Sequence, residues 1–258
     1  MEGIIMDFNT LDKRMRAFEL AMDRNLPEST YLVARLDGHG FTRLTKQLWD
    51  LAKPFDIRFN NAMRHTVKHL MDCGFRTIYG YTQSDEISLL FHPLDTTFGH
   101  RERKLLSILS AEASVCFSSE AKHSGVFDCR LIPLPDEETV IDYFRWRMED
   151  SVRNSLNSHC YWLMRKKDLT PSEAHNKILG ISKDEKLKLL ETNNIIFDEL
   201  PSWQKYGVGA YFKKIQKSGQ NPITGETDVY ERRTIFINDT LPYGDEYSTF
   251  LADIIQKA

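Results

Sequence analysis

Between residues 31 and 134 the chain alternates between two hydrophobic periods, and their order is the tightest constraint on its fold. Tyr31-Leu32-Val33-Ala34-Arg35-Leu36 reads as a buried strand that stops at Asp37-Gly38. After Pro54, the residues Ile57, Phe59, Met63, Val67, Leu70 and Met71 recur at helical spacing until Gly74. Two short strands follow, Arg76–Tyr81 and Glu86–Phe91, joined by Thr82-Gln83-Ser84-Asp85 as in a hairpin. Leu105, Leu106, Leu109, Ala113 and Cys116 mark a helix over 101–120. Phe127–Leu134 is a last strand, fenced by Gly125 and by Pro133 and Pro135. The order β-α-β-β-α-β is the ferredoxin-like split unit, an antiparallel four-stranded sheet with both helices on one face. The expected class is therefore α+β.

The flanks are more helical. Phe8, Leu11, Met15, Phe18 and Leu20/Met22 predict an amphipathic helix over 8–25, ended by Pro27 and Glu28-Ser29-Thr30. Pro135-Asp136-Glu137-Glu138 reads as the acidic first turn of a long helix reaching about Lys167, with a possible interruption at Asn154–Ser158. Thr170-Pro171 opens another helix that Gly180 stops, and Ser182-Lys183-Asp184-Glu185 is a capping box for the next. Residues 206–216 and 229–238 pair as a small hairpin around a Gly/Asn/Pro-rich turn at 218–225. The expected organisation is a catalytic domain over 1–135, N-terminal helix included, and a mainly helical region over 136–258 packed on it.

Composition excludes more than it selects. With 41% hydrophobic and 28% charged residues the chain is an ordinary globular protein, and its apolar runs are too short to span a bilayer. No basic-flanked apolar leader opens the sequence, so the cytoplasm is the expected location. The four cysteines form no CxxC pair and read as reduced, partly buried thiols. A net charge of −3 argues mildly against a DNA-coating role, and a nucleic-acid enzyme of this charge needs its Lys and Arg segregated onto one face. His65 and His69 share a helix face but lack the glutamate of a zinc HExxH motif. Trp203, Tyr206 and Tyr211 read first as core or interface aromatics and second as stacking platforms for RNA bases.

The informative feature is where the carboxylates fall. Asp37 sits at the exit of the first strand, followed by Gly38-His39-Gly40, while Asp85 and Glu86 sit in the hairpin turn. The first and third strands of a ferredoxin-like sheet are adjacent, so the two acidic turns meet at one edge. Carboxylates there can share hard divalent cations that retain phosphate oxygens. Two such ions about 4 Å apart serve phosphoryl transfer, one activating the attacking oxygen and one steadying the leaving pyrophosphate. Gly38 lets backbone atoms approach a triphosphate. Taken singly, each of these residues reads more readily as an ordinary turn former, and two acidic turns converging on one sheet edge bring the two readings level. Polymerase palms and nucleotide cyclases share this sheet, and the fold alone does not choose between them.

The matching segments begin at Arg35-Leu36-Asp37-Gly38-x-x-Phe41 and Ala52-Lys53-Pro54-x-Asp56. They continue through Gly80-Tyr81-x-Gln83-Ser84-Asp85-Glu86, Phe127-Asp128-x-Arg130 and Asp142-Tyr143-Phe144-x-Trp146-Arg147. Leu169-Thr170-Pro171-x-x-Ala174 and Glu199-Leu200-Pro201 complete them. In this order the chain resembles the tRNA-His guanylyltransferase family, most of all its bacterial and archaeal guanylyltransferase-like members, over roughly residues 31–212. The resemblance implies a polymerase-type palm and a magnesium-dependent nucleotidyltransferase working in the 3′-to-5′ direction on the 5′ end of tRNA. ATP and GTP are the implied substrates, with two Mg2+ ions per site. Asp37, Asp85 and the Gly38 carbonyl become metal ligands, and Glu86 a supporting acid among the catalytic residues. His39, Gly40, Phe41, Thr42 and Ser84 contact the incoming nucleotide. Lys53, Asp56, Arg101 and Lys104 hold a second triphosphate or the activated 5′ end. The resemblance also implies a homotetramer built as a dimer of dimers.

One segment departs from the family. Eukaryotic guanylyltransferases carry His-Ile-Asn-Asn-Leu-Tyr-Asn where this chain has Val152-Arg153-Asn154-Ser155-Leu156-Asn157-Ser158. Because that segment is implicated in selecting tRNA-His, its loss favours template-dependent repair of tRNA 5′ ends over strict guanylate addition. Two other readings stay open: a palm-type nucleotide cyclase, and a non-catalytic RNA-binding module.

Overall fold

The computed structural model describes residues 7–27, 30–220 and 227–257. Three sequence readings fall wholly or partly outside them: the N-terminus at Met1–Met6, the break at Glu28-Ser29, and the turn at 218–225 from residue 221 onward. In chain order the elements that matter are α1 (Phe8–Leu20), β1 (Tyr31–His39), α2 (Phe41–Arg43), α3 (Ile57–Leu70), β2 (Thr77–Gln83) and β3 (Glu86–Phe91). They continue with α4 (Glu102–Ala121), β4 (Val126–Leu134), α5 (Glu137–Lys166), α6 (Pro171–Ile178) and α7 (Lys183–Glu191). The chain closes with α8 (Ser202–Tyr206), β5 (Val208–Gln220), β6 (Thr227–Asn238) and α9 (Asp245–Gln256).

The sheet runs β4-β1-β3-β2-β5-β6 and its strands pair antiparallel. Its first four strands have the expected ferredoxin-like order. β1 continues past Leu36 to His39 because β4 pairs with it all the way, from Tyr31↔Leu134 to His39↔Val126. The C-terminal hairpin is longer than its apolar pattern suggests and extends the same sheet, through Tyr79↔Tyr211 and Thr82↔Val208.

Alternation along the strands divides the core in two. On one face Ala34, Leu36, Ile87 and Leu89 pack against Val67 and Leu70 of α3 and Leu105, Leu109 and Phe117 of α4. On the other, Val33, Tyr79, Tyr81 and Leu90 meet Tyr143, Phe144 and Met148 of α5 and Tyr247 and Leu251 of α9. Covered on both faces, β2 and β3 are buried at every position, which is why Glu86–Phe91 reads as a nearly continuous apolar run. Each large side chain so enclosed, Phe117 or Phe144 for example, contributes roughly 1.5–3 kcal/mol of burial.

A third cluster joins α5 to α6 and α7 through Val152, Leu156, Cys160, Ala174 and Leu190. That packing carries α5 unbroken through Asn154–Ser158, where an interruption was expected. Asp136 caps α5 by accepting from the Thr139 amide at 2.8 Å, and both downstream capping boxes form as the sequence predicts. α1 ends at Leu20, short of the expected 25, because the chain turns there to bridge Asn25 to Arg101. A further helix beyond those expected, α9, carries its period in Tyr247, Phe250, Leu251 and Ile254.

Candidate active site

β1 and β3 are neighbours at the centre of the sheet, and their register sets Asp37 opposite Glu86. Gln83 pairs with Glu86, so Ser84 and Asp85 form a two-residue turn, with Ser84 at φ +49°. The Gly38 amide donates to the Asp85 carbonyl at 3.0 Å and fastens the acidic turn to the exit of β1. Gly38 has no room for a side chain: a Cβ would stand 2.5 Å from the Phe41 ring. That ring is locked among Phe59, Phe117 and Phe127, with centroids 6.0, 4.9 and 5.0 Å away. Phe41, expected to touch nucleotide, therefore spends its side chain on the core. Gly40 takes φ +73° at the start of α2, a left-handed turn that suits glycine, and His39 and Thr42 beside it are exposed.

The two aspartates differ from Glu86 in their company. Asp85 accepts from Ser84 Oγ at 3.0 Å. Burial raises its pKa, the serine bond opposes that, and the nearby Asp37 charge adds to the rise. Neither aspartate has an ion pair among the described residues. Two carboxylates and a backbone carbonyl form an all-oxygen donor set whose mutual repulsion a hard divalent cation relieves. Among the described residues no three His, Cys, Asp or Glu side chains converge. Asp37, Asp85 and the Gly38 carbonyl are the oxygens that could hold a hard divalent ion of the kind that keeps several waters and binds substrate phosphates.

Glu86 is committed elsewhere. Arg147 of α5 grips it with a fork, Nε to Oε1 at 2.7 Å and Nη2 to Oε2 at 3.0 Å, and also reaches Asp150 at 2.8 Å. The pair is nearly enclosed, with side chains 6% and 10% exposed, and the guanidinium lies 4.3 Å from the Trp146 ring centre. Burial pushes the Glu86 pKa up while Arg147 pulls it down. Through this pair Glu86, read from the resemblance as a supporting acid, ties β3 to α5. Arg147 stood in the matched sequence without a role, because its partner lies 61 residues away along the chain.

A cavity of about 330 Å³ opens between the palm and α5. Thr42, Ser84, Asp85 and Lys53 line the palm side, and Ser151, Asn154, Ser155 and Ser158 the α5 side. Lys53 donates to the Thr45 carbonyl and lies 5.6 Å from the Trp162 ring centre. Burial lowers its pKa, with Asp56 and Asp50 opposing. Lys46, unassigned from the sequence, adds a second cation to the wall, 5.5 Å from the Tyr161 ring centre. Asp56 is occupied structurally: it accepts from the Ala52 amide at 2.7 Å, the Arg58 amide at 2.8 Å and the Arg58 guanidinium at 2.7 Å. Chiefly through Arg58, its pKa falls to about 2. It shapes the loop that presents Lys53.

Arg101 and Lys104 are not brought to this edge. They lie at the start of α4, whose 20 residues run about 30 Å before β4 begins beside His39. Trp203 lines the cavity, whereas Tyr206 stacks on Tyr243 at 5.1 Å and Tyr211 is core. His65 and His69 pair across to α4, with Glu120 at 3.3 Å and Glu112 at 2.6 Å. All four cysteines are free thiols.

Comparisons with known proteins identify the family. The family model described as tRNAHis guanylyltransferase matches residues 12–135, and the Thg1 C terminal domain model matches 138–240. A probable tRNA(His) guanylyltransferase of Dictyostelium discoideum is 30% identical over 244 residues, covering 88% of this chain and 93% of its own. The tRNA(His) guanylyltransferase of Debaryomyces hansenii is 33% identical over 177 residues, 64% of this chain and 66% of its own. A bacterial tRNA(His) guanylyltransferase-like protein in complex with ATP superposes with a TM-score of 0.74 at 26% identity, over 95% of this chain and 98% of its own. Of the three functional readings, membership favours nucleotidyl transfer over a cyclase or a non-catalytic module. The chain belongs to the tRNAHis guanylyltransferase family and is a nucleotidyltransferase.

Proposed function

We propose that this protein adds nucleotides in the 3′-to-5′ direction to the 5′ end of tRNA, in the cytoplasm, and that it repairs truncated 5′ ends by copying the opposite strand. The observation that carries the chemistry is the fastening of Asp37 to Asp85 through the Gly38 amide, beside a cavity holding Lys53 and Lys46. Asp37, Asp85 and the Gly38 carbonyl would hold magnesium, two ions per site, which neutralises phosphate charge and lowers the pKa of the attacking hydroxyl.

The chain's own residues do the positioning. The palm edge orients the 3′-hydroxyl of the incoming nucleotide toward the activated 5′ phosphate of the RNA. A phosphodiester bond forms as AMP leaves an ATP-activated end, or pyrophosphate a triphosphate end. Lys53 and Lys46 supply positive charge to the leaving phosphates, and Ser84 and the backbone at His39-Gly40-Phe41-Thr42 contact the nucleotide. The boundary near residue 135 separates the part that carries the aspartates from the part that carries the cavity's second wall. A homotetramer would let Arg101 and Lys104 contact RNA held by another copy.

The breadth of substrate rests on α5. Val152, at the position of the family histidine, is buried in the third core cluster and offers the RNA nothing to bond. The α5 residues that do line the cavity are small and polar: Ser151, Asn154, Ser155 and Ser158. Such a wall fits a protein that extends several tRNAs. The test uses 5′-truncated transcripts of tRNA-His and two unrelated tRNAs, with the templating base varied. Extension of all three, following the template, is expected. Extension of tRNA-His alone, or addition that ignores the template, would leave a specialised guanylyltransferase.

A further inference from the structure

The cavity between the palm and α5 has a polar lining that the phosphate contacts leave unused. Asn60 of α3, Ser155 of α5 and Gln204 of α8 all face it. Asn60 Oδ1, Ser155 Oγ and Gln204 Oε1 are each buried without a hydrogen-bond partner among the described residues. Ser155 as a whole is 1% exposed. A buried polar atom left unpaired costs about 1–3 kcal/mol. Three of them, delivered to one cavity by three helices, mark a site whose ligand supplies the partners. One turn along α5 from Ser155, His159 is 8% exposed, and its Nε2 is likewise unpartnered among the described residues. Its ring lies 5.4 Å from that of Phe55, which meets Trp203 edge to face at 6.0 Å. Burial lowers the His159 pKa, with Gln204 opposing, so the imidazole is uncharged at neutral pH.

Phe55, Trp162 and Trp203 give the same cavity flat apolar walls, and Lys46, Lys53 and Asp85 line it too. Aromatic walls, a few polar atoms and cations together fit a nucleotide, its ring system on the aromatic faces and its phosphates toward the lysines. Which nucleotide follows from the chemistry. Copying a template leaves the choice of the incoming base to its pairing partner. A pocket that reads a base with protein groups therefore serves the other nucleotide, the one that activates the 5′ phosphate. In the orientation the amides take here, two carbonyl oxygens call for N–H donors, and a serine hydroxyl can donate. Adenine supplies both: its exocyclic amine carries two N–H groups, and the ring nitrogen beside it accepts. Guanine and hypoxanthine carry an oxygen where adenine has the amine, opposite oxygens that cannot donate.

We propose that Ser155 and Gln204, with Asn60, read the adenine of the activating nucleotide, and that His159 is a positioning residue that holds Gln204 and Phe55 in place behind them. The inference rests on the proposed 3′-to-5′ addition for the role of that nucleotide. The preference for adenine stands on the cavity alone.

The experiment measures dissociation constants by calorimetry, with magnesium and without RNA, for ATP, inosine triphosphate, GTP and CTP. Inosine triphosphate differs from ATP at the base edge alone, with an oxygen in place of the amine. The native chain is expected to bind ATP at least ~10-fold more tightly than inosine triphosphate or GTP, as a site built to hydrogen-bond one edge does. CTP, which has the amine on a single ring, should also bind more weakly than ATP. Ser155→Ala and Gln204→Met should each lose most of the ATP preference while keeping their affinity for inosine triphosphate, and His159→Phe should lower the same ratio. Loss of structure would weaken all four nucleotides alike, so the ratio separates base reading from folding, and thermal melts check the fold directly. A native chain that binds ATP and inosine triphosphate equally, or prefers GTP, would overturn the inference. So would an unchanged ratio in both Ser155→Ala and Gln204→Met, or CTP bound as tightly as ATP. Nucleotide addition to a 5′-triphosphorylated transcript by the native chain needs no activating nucleotide. Assayed alongside, it reports on the proposed function alone.

Discussion

Among single residues Asp85 is the most sensitive to pH and to metal. Its folded-state pKa is raised above the usual 3.8, mainly by burial, so the folded protein holds that proton more tightly than the unfolded chain. The stability this group contributes is complete at acid pH and is lost as pH rises through the raised value. At neutral pH and without metal, Asp85→Asn is therefore expected to be at least as stable as the native chain. Magnesium should then raise the native Tm by roughly 2–4 °C, as ~1 kcal/mol does for a chain of this size, and leave Asp85→Asn unmoved. Thermal melts with and without the ion check this, and equal shifts in both proteins would remove Asp85 from the metal site. The meeting of Asp37 with Asp85 was legible in the sequence, since strand order alone brings their turns together. The occupations of Glu86, Phe41 and Asp56 were not. Their partners Arg147, Phe117 and Ala52 follow from tertiary packing and loop closure, which hydrophobic period does not encode.

At the scale of elements, α5 is the piece that converts a palm into a walled site, and Arg147 is its clasp. Removing one partner of a buried ion pair strands the other, at a cost of about 3–5 kcal/mol, whereas replacing both with uncharged groups is far milder. Arg147→Met is accordingly expected to destabilise by that amount in urea unfolding, and Glu86→Gln/Arg147→Met to recover much of it. Additive losses would mean the pair is not the tie. α4 carries a second expectation. Arg101 and Lys104 stand a helix length from Asp85, so Arg101→Ala/Lys104→Ala should raise KM for tRNA severalfold at low salt, less at high salt, and leave KM for nucleoside triphosphate unchanged. A matching rise in the triphosphate KM would return them to a phosphate site. Element type was readable for nearly every long periodic segment. Element extent was not, because β1, the hairpin and α5 are each prolonged by a neighbour distant in sequence.

At the scale of the whole molecule, the C-terminal region contributes to three things at once: it extends the sheet, covers its second face through α5 and α9, and walls the cavity. The sequence separated a palm from a helical remainder, yet it left unseen that both share one sheet, because the pairing of β2 with β5 joins segments more than a hundred residues apart. The central claim is that this single body joins a nucleotide to the 5′ end of tRNA by way of Asp37 and Asp85. The most direct measurement supplies a 5′-triphosphorylated tRNA transcript lacking its first nucleotide, α-labelled GTP and magnesium, then locates the labelled nucleotide by nuclease digestion. Label joined through a new phosphodiester at the 5′ end, lost in Asp37→Ala and Asp85→Ala chains that remain folded, is the expected result. Label at the 3′ end, no transfer at all, or full transfer by either variant would contradict it.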